Sequence, residues 1–397
     1  MKPLLRIMLI PASLALLACG AQEEPWESFV ADSAGVRIVQ HGLYAEPAAV
    51  LRVAPEPDFR VGWDPSGPTF AWVDNGLLLE DGRAVVADKS HRTFTVLSPR
   101  GEILEVFGAP GQGPGEIRRI TSLCRLPGDT LVLQDPVNGR FSLFHEGTFS
   151  RSIPYGPLGS TLIGMSVLGG SEGVLILRSS ASAADFPEPW LQGVVVRFDL
   201  ASQRLDTLRT FDWVLNKAAR RGTFFPVGTV GYTAGSILVG RQDQPWIERL
   251  SLEGRVTDIV RFPREPEVIT DSSWAVYEWL FMTNPAWTHD TETRAIMFAQ
   301  KRPEIGSPLP HYFRLLGDDA GNAWVGAYSL DFRTTEHFDV FSPTGAWLAS
   351  VSLPPPVQVL DIQQGRILAT QYDELGVNAV TVFRIEGWHG SQEEDGQ

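Results

Sequence analysis

The amino-acid sequence predicts an all-β fold, a six-bladed β-propeller with a short helical insertion between blades four and five. Two observations lead to this prediction. Short runs of β-branched and aromatic residues alternate with turns rich in Gly, Pro, Asp and Ser along most of the chain. The pattern also repeats, and six repeats of about four short strands with almost no helix between them are typical of a propeller.

The first two repeats are the clearest. They read "DGRAVVADKSHRTFTVLSPRGEILEVFG" and "GDTLVLQDPVNGRFSLFHEGTFSRSI". Asp88 and Asp135 end corresponding strands in them, and Arg92 and Arg140 open the strands that follow. The turns "SPRG", "SLEG" and "SPTG" share a final glycine, which supplies the positive φ that a tight turn needs.

Four further pairs of strands follow, and their sequences resemble the first two repeats less closely. They lie at 173–180 with 193–200, 236–242 with 246–254, 321–328 with 337–345, and 365–372 with 379–387. The strands expected nearest the propeller axis are "GLLLE", "ITSLCRL", "TLIGMSVLG", "VGTVGYT", "FRLLGD" and "VQVLDI".

Ring closure requires one more strand, because the sixth repeat has no obvious fourth strand. "GVRIVQH", residues 35–41, is the expected closing strand, and its pairing would leave no exposed sheet edge there. The alternative fold is a tandem pair of β-sandwich domains, which explains the repeat spacing poorly.

The glycine-rich segment "VFGAPGQGPGEI", residues 106–117, raises the question of a phosphate-binding loop. A P-loop would need a lysine followed by Ser or Thr, and a dinucleotide-binding loop would open a helix. The segment has no such lysine, and an all-β region follows it. It is therefore interpreted as a connection between blades one and two.

The N-terminus has the pattern of an export signal. Lys2 and Arg6 precede a short apolar run that ends in "LLACG". This string resembles the lipobox of bacterial lipoproteins, and the resemblance implies cleavage after Ala18 and acylation of Cys19. The alternative is an ordinary secretory signal with a chance cysteine. Gly20 is not the aspartate that retains some lipoproteins in the inner membrane, which favours the outer membrane.

The expected organisation is a signal peptide (1–18), a tether (19–34), the propeller (35–388, with the helical insertion at 266–310) and a disordered tail (389–397). Removal of the signal peptide changes the net charge from −14 to −16, because two basic and no acidic residues are lost. Such a chain repels nucleic acid. With Cys19 acylated, the remaining cysteine cannot form an internal disulfide.

A second resemblance concerns the repeats. "VVADKSHRTFTVLSPRGEILEVFGAPGQGPGEI" resembles an NHL-type repeat, and the chain is similar to bacterial six-bladed propeller lipoproteins with a G-x-G-P-G-E junction. The match is good over residues 75–153 and weaker elsewhere. Such propellers include scaffolds, ligand receptors and a few lyases and sugar-lactone hydrolases, so the resemblance implies a fold more than a function.

Four arginines and two tryptophans are candidate binding residues. Arg118 and Arg119 are expected at the mouth of the central channel, where a cation would hold an anionic group; the alternative is a surface position. Arg92 and Arg140 are either ligand-binding residues or structural residues. In the structural interpretation the arginine bridges neighbouring strands, while Asp88 or Asp135 caps a turn. In the insertion, Trp274 and Trp279 either pack a helix pair onto the propeller or offer a stacking surface in a lid over the channel.

The favoured function is a lipid-anchored envelope module that binds a protein partner or a small anionic or carbohydrate ligand without catalysis. A structural component of an envelope complex is a further reading. The alternative is a metal-dependent lactonase-like hydrolase or lyase, for which the innermost strands offer Glu80, Asp318 and Asp361. No cofactor is predicted, and an axial calcium or similar divalent metal belongs to the alternative.

Overall fold

A computed structural model describes residues 27–64, 66–154, 163–171, 173–180, 190–215, 223–283, 290–301, 305–330, 337–354, 356–372 and 377–388. The expected signal peptide, Cys19 and the expected C-terminal tail lie outside these ranges. No helix within the ranges has the length and apolar character needed to cross a bilayer.

The chain forms six four-stranded antiparallel blades arranged as a propeller, which confirms the predicted fold class. Four strands precede the first blade: β1 (Phe29–Ser33), β2 (Val36–Gln40), β3 (Ala49–Arg52) and β4 (Phe59–Val61). Blade one comprises β5 (Val73–Leu78), β6 (Ala84–Asp88), β7 (Thr93–Leu97) and β8 (Ile103–Phe107). The junction to blade two contains β9 (Ala109–Pro110) and β10 (Glu116–Ile117), which pair in parallel.

The next two blades follow in chain order. Blade two comprises β11 (Ser122–Leu126), β12 (Thr130–Asp135), β13 (Arg140–His145) and β14 (Thr148–Pro154). Blade three comprises β15 (Ile163–Ser171), β16 (Val174–Ser180), β17 (Trp190–Asp199) and β18 (Leu205–Leu215).

The last three blades include the helical insertion. Blade four comprises β19 (Gly228–Thr233), β20 (Ser236–Arg241), β21 (Trp246–Leu250) and β22 (Val256–Arg261), and the helices α1 (Asp271–Thr283) and α2 (Thr291–Ala299) follow it. Blade five comprises β23 (Tyr312–Gly317), β24 (Ala323–Ala327), β25 (His337–Phe341) and β26 (Trp347–Ser352). Blade six comprises β27 (Val357–Gln363), β28 (Arg366–Tyr372) and β29 (Asn378–Arg384), with β4 as its fourth strand.

The core consists of one apolar cluster between each pair of neighbouring blades, six in all among the described residues. Each blade is therefore covered on both faces. This explains why the second strands, such as β6 ("AVVAD") and β12 ("TLVLQD"), are almost continuously apolar and buried instead of alternating.

The N-terminal strands run along the outer edges of three successive blades. β2 pairs in parallel with β22 of blade four, β3 pairs in parallel with β26 of blade five, and β4 pairs antiparallel with β29 of blade six. β1 lies outside β2 and pairs with it, although its residues fall in the expected tether. These pairings cover edges that would otherwise offer unpaired backbone groups.

The prediction that "GVRIVQH" closes the ring is wrong. That segment forms β2 on blade four, and the closing strand is the three-residue β4. Blade six neighbours blade one, so its last strand must come from chain close to β5. β4 satisfies this condition, whereas β2 lies too far back along the chain. The carboxylate of Asp58, next to β4, also pairs with Arg366 and Arg384 of blade six at 3.0 and 2.9 Å.

The two ends of the propeller differ. We call the end at which the six innermost strands begin the insertion face, because the helix pair joins β22 to β23 there. The opposite end, where the innermost strands finish, is the cavity face. α1 begins with reciprocal hydrogen bonds between Thr270 and Ser273, so Thr270 is its N-cap.

Because ring closure depends on the short strand β4, we expect substitutions in β4 to destabilise the protein. Phe59 of β4 is buried between blades six and one, so Phe59→Ala should lower the free energy of unfolding by about 3–4 kcal/mol. Urea denaturation measures the change. Val50→Ala, on the exposed side of the edge strand β3, should change it by less than about 0.5 kcal/mol. Equal effects for the two variants would contradict closure through β4.

Candidate functional site

The axial channel contains the main cavity, which encloses about 730 Å³. Residues from all six innermost strands line it, and its walls continue into the hairpin turns of the cavity face. Each of the six segments expected nearest the axis supplies lining residues. The channel is therefore a single site to which every blade contributes.

Polar side chains join neighbouring innermost strands around this cavity. Leu78 of β5 donates its backbone N–H to Asp361 of β27 at 2.8 Å, and its carbonyl accepts from Arg125 of β11 at 2.5 Å. On the other side of β27, Arg314 of β23 donates to the carbonyl of Val359 at 2.9 Å. The innermost strands of neighbouring blades share no backbone hydrogen-bond ladder. In blades five, six, one and two, these side-chain hydrogen bonds connect them instead.

A second set of bonds connects the hairpin turns at the rim of the cavity face. Asp319 accepts the backbone N–H of Gln364 at 3.0 Å, and the Gln364 side chain donates to the carbonyl of Glu80 at 3.3 Å. The backbone N–H of Glu80 lies 3.4 Å from a carboxylate oxygen of Asp129. The rim is therefore ordered by bonds between blades as well as within them.

Between blades four and five the innermost strands approach closely. A Cβ atom at Gly317 would lie 2.3 Å from the carbonyl oxygen of Tyr232, so only glycine fits there. Tyr232 in turn donates its hydroxyl to the carbonyl of Gly170 in blade three, at 3.1 Å. Burial raises the pKa of this hydroxyl to about 12, which keeps it protonated as a donor.

Two carboxyl groups in the wall are shifted toward the neutral form. Burial raises the pKa of Asp361 to about 6, although the N–H of Leu78 and the charge of Arg125 act against the rise. Burial also raises the pKa of Asp318, against the hydrogen bonds that Trp324 and Asn322 donate to it. A carboxyl with a pKa of about 6 still carries most of its negative charge at pH 7, so Asp361 remains an anionic group of the cavity wall at neutral pH.

Two arginines in the wall lack a carboxylate partner among the described residues. Arg178 of β16 has a buried Nε without a hydrogen-bond partner there, and burial lowers its pKa. Arg314 forms no ion pair in the described part of the chain, and burial lowers its pKa to about 10. Both guanidinium groups keep their charge at neutral pH, and each is expensive to bury without an anion.

Arg118 and Arg119 do not line this cavity. Both side chains are exposed at the start of β11, toward the insertion face, and their backbone N–H groups donate to Asp135 at 2.8 and 3.2 Å. The arginines that the structure does bring to the channel lie farther along the strands, at 125, 178 and 314.

Asp88 and Asp135 cap equivalent turns. Asp88 accepts the backbone N–H groups of residues 71, 90 and 91, and Asp135 accepts those of residues 118, 119, 137 and 138. Arg140 donates to the carbonyls of Gly113 and Glu116, so it holds the glycine-rich junction in place. The junction is thus a blade connection whose backbone groups bond within the protein.

Arg92 and Arg140 are not structurally equivalent. Arg92 has φ +60°, and the matching position in blade two is Gly139, with φ +64°. Arg92 therefore occupies a left-handed turn position, with its side chain exposed, whereas Arg140 begins β13. Neither lines the axial cavity.

The two tryptophans of the insertion differ in environment. Trp274 packs against Phe224 and Phe298, at ring-centroid distances of 6.2 and 5.3 Å, in the cluster that holds the helices on the propeller. Trp279 is 63% exposed. No described helix residue lines the axial cavity, which opens at the other face, so the helix pair does not form a lid over it.

Three carboxylates suggested for a metal site do line the same cavity: Glu80, Asp318 and Asp361. Within the described ranges, however, no group of three or more His, Cys, Asp or Glu side chains is close enough to hold a metal ion. The donors already directed at Asp318 and Asp361 occupy oxygens that a metal would need.

The sequence pattern did not single out Arg125, Arg178 or Arg314. A usable signal exists in each case, because a lone arginine interrupts an otherwise apolar or small-residue strand in "SLCRL", "VLILRSS" and "YFRLLG". A cation inside a buried strand is costly and calls for a specific reason.

Comparison with known proteins gives the fold alone. No protein-family model and no curated protein matches the chain. A member of the DUF4221 family from Bacteroides vulgatus is 10% identical, with 85% of this chain and 99% of that chain covered and a TM-score of 0.55. A gluconolactonase from Xanthomonas campestris is 11% identical, with 86% and 99% covered and a TM-score of 0.44. The calcium-binding protein regucalcin from Agrobacterium tumefaciens is 12% identical, with 86% and 97% covered and a TM-score of 0.43.

The pKa of Asp361 predicts a pH-dependent contribution to stability. The folded protein holds this proton up to about pH 6, whereas the unfolded chain releases it near the ordinary pKa of 3.8. Stability from this group is therefore complete below pH 4 and is lost as the pH rises to about 6.

Asp361→Asn should remove this loss of stability at high pH, because asparagine has no proton to release in this pH range. A rise in the pKa of Asp361 from 3.8 to about 6 corresponds to about 3 kcal/mol. Because the carboxyl lines the cavity, where solvent screens its charge, we expect Asp361→Asn to add only about 1–2 kcal/mol of stability at pH 7.5. Urea denaturation at pH 7.5 and pH 4 measures it, and at pH 4 the gain should vanish. An equal difference at both pH values would show that the carboxyl does not titrate as described.

Proposed function

We propose that this protein is a non-catalytic binding protein that holds a small organic or inorganic anion in the axial cavity. The observation that supports this most directly is the presence of Arg178 and Arg314 in the wall of one cavity, both half-buried and neither paired with a described carboxylate. A carboxylate or phosphate group would supply the missing negative charge, because a guanidinium binds either with two parallel hydrogen bonds.

Three of the carboxylates in the wall already have partners within the protein. Asp74 pairs with Lys89 at 2.6 Å, and Asp318 accepts three hydrogen bonds from Asn322 and Trp324. Asp361 accepts the N–H of Leu78 and has its pKa raised by burial. The cavity volume suits a small molecule and not a protein segment.

The proposed location is the bacterial cell envelope, with the protein anchored in the outer membrane by acyl chains on Cys19 and facing the periplasm or the cell surface. The lipobox-like "LLACG" and the residue after Cys19 support this location. The NHL-like repeat of blades one and two is compatible with such a receptor.

The proposal predicts opposite effects on stability and binding. Arg178→Met removes a buried charge with no described partner, so the free energy of unfolding should stay the same or rise by about 1–3 kcal/mol. The same change should weaken anion binding at least about tenfold, the equivalent of one lost charge-assisted contact. Calorimetric titration with inorganic phosphate, acetate and gluconate, together with thermal unfolding, measures both.

Arg249→Met is the matched control. Arg249 is a buried arginine that donates to Ser236, Gly321 and Ser342, so its loss should cost about 3 kcal/mol and leave anion binding unchanged. If Arg178→Met destabilised the protein as strongly as Arg249→Met, Arg178 would be a structural residue and the proposal would fail.

A further inference from the structure

Exposed apolar side chains are concentrated in two segments of the chain. The described residues include fifteen large hydrophobic side chains that are exposed, and eight of them lie in residues 27–44 or 267–310. These segments make up only about a sixth of the described residues. The eight are Val30, Leu43, Tyr44, Val268, Val276, Trp279, Ile296 and Ile305. Concentrated exposed apolar surface of this kind marks an interaction surface.

The N-terminal segment lies next to the two points of the chain at which the segment 267–310 begins and ends. A groove of about 440 Å³ is lined by Phe29, His41 and Leu43 of the N-terminal segment and by Pro266 and His311, the residues that flank the insertion. The bridge between Val268 and Pro308 closes the base of the insertion directly beside this groove. We call the surface formed by β1, the loop after β2 and the helix pair the apolar corner.

The helices of the apolar corner expose part of their apolar surface. α1 buries Tyr277 and Phe281 against the propeller, while Val276 and Trp279 face solvent. α2 packs beside α1, where Arg294 donates to the carbonyl of Met282 at 2.6 Å, and it exposes Ile296. Tryptophan and branched aliphatic residues on the outer face of a helix are typical of contact with a membrane interface.

The position of Cys19 indicates what covers this surface. Only residues 20–26 separate Cys19 from Glu27, and the eight steps between these two residues span at most about 29 Å. Glu27 directly precedes β1, which belongs to the apolar corner. A bilayer that holds acyl chains on Cys19 is thus kept within reach of β1 and of the apolar corner.

We propose that the apolar corner rests on the bilayer that holds the Cys19 acyl chains, and that it does so through apolar contact with zwitterionic lipid. The inference depends on the lipid anchor of the proposed function but not on its ligand. The charges favour zwitterionic over anionic lipid, because the helix pair and its start carry Asp271, Glu278, Asp290 and Glu292 against Arg294 and Lys301. Contact at the insertion face also turns the cavity face, and its open rim, toward the aqueous side.

The test uses the acylated full-length protein purified from membranes, with its intact mass measured first. A fluorescent thiol-reactive dye is attached to Val276→Cys and, as a control, to Val106→Cys. Both positions are exposed valines, at 50% and 56%, but Val106 lies on the outer strand of blade one, across the axis from blade four. Labelling is selective because Cys124 is buried and acylation occupies Cys19.

The labelled proteins are reconstituted in phosphatidylcholine vesicles that contain nitroxide-labelled phosphatidylcholine. We expect quenching at position 276 to exceed that at position 106 severalfold, and Trp279→Ser in the same chain to reduce it. Equal quenching at the two positions, with acylation present in the mass spectrum, would overturn the apolar corner as a membrane surface. A protein without acyl chains would overturn the anchor itself and the proposed surface with it.

Discussion

Apolar packing between neighbouring blades is the constraint on which the rest of this structure depends. Each blade is a sheet buried on both faces, so none is stable until the next blade covers it, and the last must meet the first. A three-residue strand, β4, and the paired carboxylate of Asp58 complete that final contact. The innermost strands share no ladder, and side chains such as Asp361 and Arg125 therefore join neighbouring strands around the axis.

Much of this fold follows from local patterns in the sequence. Continuously apolar second strands and the repeated Asp turn identify the blades. Asp88 and Asp135 occupy equivalent sequence positions, and both cap the turn that follows them. The closing strand could not be recognised, because "FRV" is short and its role depends on which blade lies beside it. "GVRIVQH" has the stronger strand pattern, yet chain connectivity places it on blade four. Local propensity identifies a strand, whereas ring geometry decides its partner.

The site was less accessible to sequence reasoning. Charge near a glycine-rich junction suggested Arg118 and Arg119, but these lie at the start of their strand and toward the other face. Which residues reach the axis depends on strand register and on the depth of each position along the channel, and both emerge only from the assembled ring. The carboxylates Glu80, Asp318 and Asp361 were correctly expected near the axis. The sequence does not reveal the hydrogen bonds that Asp318 and Asp361 accept from the protein, nor that Arg178 and Arg314 lack a described carboxylate partner.

The central claim is that Arg178 and Arg314 are present for a ligand and not for the fold. Native mass spectrometry of the protein, purified from its membrane without added anions, tests this claim most directly. We expect a bound organic or phosphate anion to appear as an excess mass on the wild-type chain and to be absent from Arg178→Met. A wild-type chain and an Arg178→Met chain that both carry no excess mass, or the same excess mass, would contradict it.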